Sequence, residues 1–119
     1  MSTKPIFLDK KYTVVGDAVL NAAATISTVA VGQPKSVRVK NSVLSQAFKR
    51  LAIAKPSHHD SHTLAEMYEG LVGYAYLDLG ISFEGLTTSL LNQLQKTNCE
   101  EEAYAHFIQV LFEEVRKRV

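Results

Sequence analysis

Three carboxylates carry the chemistry that can be read from this sequence. Asp17 stands among apolar residues in Val15-Gly16-Asp17-Ala18-Val19-Leu20, and Glu66 and Glu69 are three residues apart ahead of Gly70. On a helix that spacing projects both glutamates from one face. Gly70 and Gly73 fall on a similar side, and glycine destabilises a helix relative to alanine. Close approach by a second helix gives those glycines a use, and it would bring Asp17 beside the glutamates. Clustered carboxylates raise one another's pKa unless a cation neutralises them. Hard oxygen donors in that arrangement suit Mg²⁺, with Mn²⁺ as a substitute, and such a site makes a water nucleophile and stabilises a leaving oxygen on a phosphate ester. The same residues also fit a purely structural reading, with Glu66 in a helix cap, Glu69 a solvated helix acid and Asp17 a helix N-cap after Gly16.

Lesser signals compete with this one. His58-His59-Asp60-Ser61-His62 has ligand types for a transition metal, but it falls in an expected loop without a rigid frame and reads better as a solvated polar loop. Tyr68, Tyr74 and Tyr76 have faces on which bases could stack, yet an apolar helix around them favours core packing. Cys99, the single cysteine, pairs with no base in the sequence.

The elements that must position the acids read as helices. Tyr12 to Ala30 is rich in Ala and Val and ends at Gly32-Gln33-Pro34. Ser36 to Ile53 is expected to be helical, with Val39, Val43, Ala47 and either Phe48 or Leu51 on one stripe. Thr63 and Glu66 have capping-box spacing for a helix running to about Leu79, which Gly80 would end. Ser82 caps a helix with Phe83, Leu86, Leu90, Leu91 and Leu94 on its apolar side. Asn98 and Glu101 repeat the capping pattern before a last stripe of Ala103, Phe107, Val110, Leu111 and Val115. The expectation is an all-α domain of about five helices spanning residues 1–119, with no internal repeat.

Composition agrees with one domain that buries a core: 119 residues, 46% hydrophobic and 21% charged. No apolar run is expected to cross a membrane, and the start lacks the features of a secretory or transit peptide. One cysteine excludes an intramolecular disulfide framework and points to a reducing, intracellular compartment. The net charge of +1 hides an asymmetry. Residues 1–55 hold nine basic residues against Asp9 and Asp17, whereas the remainder holds four against ten acids. A basic half beside an acidic one suits contact with a polyanion, although two solvated helix faces would give the same count.

Three segments resemble the ribonuclease III family. Gly16-Asp17-Ala18-Val19-Leu20 is similar to the end of its signature, E-x-x-E-F-L-G-D-A-V-L. Val39-Lys40-Asn41-Ser42-Val43-Leu44 resembles its V-S-N-x-x-L segment, with Leu51 as the downstream leucine. The most specific stretch runs from Ala65-Glu66-Met67-Tyr68-Glu69-Gly70 through Gly73 to Tyr76-Leu77-Asp78-Leu79-Gly80, close to the family's A-D-x-x-E-A-L-I-G-A-x-Y-L-D-x-G. The order is that of the family, and the resemblance covers about Tyr12 to Gln95.

The resemblance implies an all-helical endonuclease domain that forms homodimers, binds Mg²⁺ through acids and hydrolyses phosphodiesters in double-stranded or structured RNA. Asp17 matches the signature aspartate and Glu69 the essential glutamate, so these two are the implied catalytic residues. Glu66 stands where the family usually has aspartate, which makes Asp17, Glu66 and Glu69 the implied metal ligands. Lys10, Lys11, Lys35, Arg38 and Lys40, with Asn41, are the candidates for RNA contacts, through backbone and 2′-hydroxyl recognition rather than base reading.

The departures are specific. The signature's two glutamates are Lys10 and Thr13, its aromatic dimer anchor is Val14, and the interval from Asp17 to Asn41 is shorter than usual. The length leaves no expected room for a separate double-stranded-RNA-binding domain. The reading that follows is a Mg²⁺-dependent endoribonuclease. Its alternative is a non-catalytic RNA-binding or ribosome-associated protein that keeps the fold, and a third is an α-helical protein-interaction module.

Overall fold

The computed structural model describes residues 8–51 and 61–118. The described residues form five helices and no strand: α1 (Lys10–Ala30), α2 (Asn41–Lys49), α3 (Ser61–Leu77), α4 (Phe83–Lys96) and α5 (Glu100–Arg118). The all-α expectation holds. Helix α3 is the central element, packed against α1, α2 and α5, with α4 closing the bundle across α1 and α5. Its burial extends around most of its circumference, through Leu64, Ala65, Met67, Tyr68, Gly70, Leu71, Val72, Gly73 and Ala75. A helix buried on several sides needs apolar or small residues on all of them, which is what this segment supplies.

The crossing of α1 and α3 determines the rest. Both Gly16 and Gly73 are buried, and a Cβ at Gly16 would overlap the carbonyl oxygen of Glu69 while one at Gly73 would overlap that of Tyr12. The two backbones therefore touch, and any side chain at either position would force them apart. At the far end of this crossing the Tyr12 hydroxyl donates to Asp78 Oδ2 at 2.5 Å, and its ring meets Tyr74 edge-on at 5.3 Å. That hydrogen bond, more than any other influence, pushes the Tyr12 phenol up to about 12.

The helix ends follow local chemistry with three revisions. Gly32 and Gly80 take left-handed φ of 81° and 69°, ending α1 and the turn after α3 as expected. Ser82 caps α4 by accepting from the Gly85 N–H. The helix expected from Ser36 is shorter: residues 33–40 are not helical and α2 starts at Asn41, with Lys40, in an extended conformation, at the cap. Thr63 is not a cap, because α3 is already helical from Ser61. Glu100 opens α5, which places Cys99 rather than Asn98 at the cap, its carbonyl accepting from the Ala103 N–H. Val110, expected inside, is 45% exposed, and Tyr104 and Ile108 fill the core in its place.

Other expectations meet the structure directly. Val39, Val43, Ala47, Phe48 and Leu51 are all buried, so the apolar stripe survives the shorter helix. Tyr68 is fully buried and donates to the Tyr104 carbonyl at 2.7 Å, a core role; Tyr76 instead lies exposed. Glu100, Glu101 and Glu102 begin α5 and Arg116, Lys117 and Arg118 end it, each sign at the helix end whose dipole favours it. The expectation about membrane spans needs correction. Helix α1 is long and apolar enough to cross a membrane by length and composition, a test that a core helix also passes. Here α1 packs on α3 and α4 and carries Asp17 and Asn21 within its length.

Candidate functional site

The α1–α3 crossing aligns the acids. Gly16 lies against the backbone of Glu69, so the next residue, Asp17, emerges beside the Glu69 side chain. The two carboxyl groups are close enough for Asp17 to raise the pKa of Glu69. One surface pocket is lined by Thr13, Val14 and Asp17 from α1 and by His62, Glu66 and Glu69 from α3. On α1, Thr13 and Asp17 are one turn apart; on α3, His62, Glu66 and Glu69 follow at intervals of four and three, so each helix contributes a single face.

Electrostatics mark Glu69 as the unusual member. Burial pushes its carboxyl up from 4.5 to about 8, followed by the adjacent Asp17 carboxyl and the negative charge of Glu66; Arg38 acts in the opposite direction. Two adjacent carboxylates cannot both be charged cheaply in a half-buried setting, so one keeps a proton. Here Glu69 is the one that keeps it. Asp17 is further held by Asn21, whose Nδ2 donates to Asp17 Oδ1 at 2.8 Å and to its carbonyl at 2.9 Å.

Those residues singled out from sequence that fall within the described residues each have a definite place. Asp17, Glu66 and Glu69 line one pocket, as the glycine spacing anticipates, and Gly16 joins Gly73 in making that possible. Glu66 turns towards His62, with 3.4 Å between Nε2 and Oε1. Thr13 lines the pocket, but its hydroxyl donates back to the Lys10 carbonyl at 3.3 Å. Lys10 and Lys11 are exposed in the first turn of α1, and Lys11 Nζ lies 4.9 Å from the Tyr12 ring centre. Among the described residues Lys10 makes no ion pair with the acids. Lys35, Arg38 and Lys40 are exposed on the segment between α1 and α2, and Asn41 is exposed at the start of α2. His58, His59 and Asp60 lie outside the described residues, whereas His62 is helical and part of the pocket. Sequence reasoning missed His62 by placing it in the loop; its four-residue spacing from Glu66 was the available signal.

The donor set fits a divalent cation in kind: three carboxylates supply hard oxygens and His62 an imidazole. Among the described residues, no three His, Cys, Asp or Glu side chains are already gathered into a metal-holding group. Glu66 lies against His62, 3.4 Å from its Nε2.

Comparison with known proteins gives one result. A family model described as Ribonuclease III matches residues 10–119, nearly the whole chain. No curated protein matches, and no solved structure matches.

Proposed function

Because the chain belongs to the ribonuclease III family, we propose that its α1–α3 pocket hydrolyses phosphodiester bonds of double-stranded or structured RNA with Mg²⁺ or Mn²⁺. The observation that carries this reading is the Asp17–Glu69 contact, with Glu69 pushed up to about 8. A carboxyl whose pKa is raised beside two other acids marks a surplus of negative charge, which a divalent cation relieves. Asp17, Glu66 and Glu69 would hold the cation, which when bound supplies Lewis acidity at the phosphate oxygens. Glu69 releases its proton on binding, and Asn21 keeps the Asp17 carboxylate aimed at the pocket. The hydrolysis would form one P–O bond from water and break the P–O3′ bond, with the proton lost by the water balancing the one gained by the leaving 3′ oxygen.

The homodimer belongs to the same proposal. Val14, Ala18, Ala22, Ile26 and Val29 form an exposed apolar ridge along α1, with Val14 at 57%, Ile26 at 46% and Val29 at 59% exposure. A second copy laid along that ridge would cover it and set two acidic pockets near one another, suited to the two strands of a duplex.

One observation favours the non-catalytic alternative. Thr13 offers no carboxylate at the signature position, and its hydroxyl is turned to the Lys10 carbonyl. Digestion of a long RNA duplex with Mg²⁺ or Mn²⁺, beside Glu69→Gln, decides between the two. Discrete cutting that the variant abolishes supports the nuclease. Salt-sensitive RNA binding without cutting supports the binder instead.

A further inference from the structure

Residues 33–40, between α1 and α2, are neither helix nor strand, yet alternate amides from Lys35 to Val39 are hydrogen-bonded in a regular way, as in an extended segment. Thr28 Oγ1 accepts from the Lys35 N–H at 3.0 Å, Thr25 Oγ1 from the Val37 N–H at 2.9 Å, and Asn21 Oδ1 from the Val39 N–H at 2.8 Å. Every second amide of the segment is thus taken by a polar side chain of α1, running antiparallel to the helix. The lengths match: seven helical residues rise about 10.5 Å, and four extended residues span about 13 Å. Positions 21, 25 and 28 form a single stripe on α1, which therefore serves this segment as a neighbouring strand would. Three such bonds offset the entropy of an otherwise untied connection.

The ladder has a consequence for charge. With the amides of 35, 37 and 39 facing α1, Val39 is buried and Val37 half-buried, and Arg38 and Lys40 fall on the opposite, exposed side. Among the described residues, Lys35, Arg38 and Lys40 make no ion pair, unlike Arg116, Lys117 and Arg118. Arg38 is near enough to Glu69 to oppose the rise of its pKa. Asn21 sits at the junction: its Nδ2 holds Asp17 Oδ1 and its Oδ1 holds the Val39 amide. The acid and the cationic segment are therefore anchored to the same side chain.

We propose that residues 33–40 are a strap that grips the phosphodiester backbone of RNA beside the carboxyl pair. Arg38 and Lys40 are its phosphate contacts, Thr25 and Thr28 its fasteners, and Asn21 the positioning residue that keeps it in register with Asp17. This rests on the RNA reading above and adds the element that meets the ligand. Cations held in one extended register match the regular spacing of backbone phosphates, whereas a loose loop would have to be ordered at each encounter.

The test is affinity for a blunt RNA duplex of mixed sequence, by fluorescence anisotropy in EDTA across a range of salt. Four proteins are compared: the wild type, Arg38→Gln with Lys40→Gln, Thr25→Val with Thr28→Val, and Thr25→Ser with Thr28→Ser. The charge pair is expected to reduce the slope of log K against log salt by about 2, or about 1 per lost phosphate contact. The valine pair should lower both affinity and slope, and the serine pair, which keeps both hydroxyls, should restore them. Circular dichroism melts separate loss of the strap from loss of the fold. Should the valine pair fail to fold, the charge pair alone decides, since its residues are exposed. Wild-type slopes in the charge pair overturn the strap and leave the RNA reading standing, as do wild-type slopes in a folded valine pair. No duplex binding by the wild type overturns both.

Discussion

Replacing Glu69 with glutamine tests the electrostatics of the pocket without disturbing its shape. Glutamine keeps the length of the side chain, but it does not titrate. In the wild type the folded carboxyl is pushed up to about 8 from 4.5. Between those values the folded protein retains a proton that the unfolded chain releases. Stability must therefore fall as pH rises from about 4.5, and the full cost is present above about 8. At about 1.4 kcal/mol for each pH unit, the interval from 4.5 to about 8 sets a ceiling of about 5 kcal/mol. The side chain is only half-buried, and solvent screening reduces this to about 2 kcal/mol. Glu69→Gln removes that cost. In EDTA, urea denaturation should show the two proteins equally stable near pH 4.5, with the variant ahead by about 2 kcal/mol at pH 8.5. Adding Mn²⁺ at pH 8.5 should stabilise the wild type and leave the variant unchanged. A difference independent of pH, or a variant less stable than wild type at pH 8.5, would refute the reasoning.

Two further outcomes follow from the packing. Gly73→Ala places a methyl group on the Tyr12 carbonyl and should lower stability by about 3 kcal/mol; equilibrium denaturation measures this, and a change below about 1 kcal/mol would mean that the helices do not touch there. Val14→Asp, at an exposed point of the α1 ridge, should leave the fold intact and convert a dimer into a monomer in light scattering, whereas an unchanged mass would place any interface elsewhere.

Much of the site could be read from residue types because the determinants are local or periodic. The glycines after Glu69 point to a close crossing that brings Asp17 alongside; that Gly16 is its counterpart on α1 emerges only from the structure. The capped start of α4 and the glycine after α3 are equally local. What escaped reading depends on distant partners. Val39 continues the helical stripe of Val43 and Ala47, which masked the polar–apolar alternation of Ser36 to Lys40, and Asn21, Thr25 and Thr28, between 7 and 18 residues from the amides they hold, favour the non-helical form. His62 was hidden by a helix start misplaced by two residues, enough to move a pocket residue into an apparent loop. Asn21 gave no sign in sequence at all, since its role consists of contacts to two elements at once.

The account stands on the claim that Asp17 and Glu69 form part of a divalent-cation site. Titration with Mn²⁺ followed by electron paramagnetic resonance measures this in solution, with the wild type compared to Asp17→Asn and Glu69→Gln at pH 8. The prediction is saturable binding by the wild type, weakened at least tenfold in each variant, with the affinity of the wild type falling as pH drops below about 8 and Glu69 regains its proton. Wild-type protein that binds no Mn²⁺, or variants that bind it equally well, would contradict the claim.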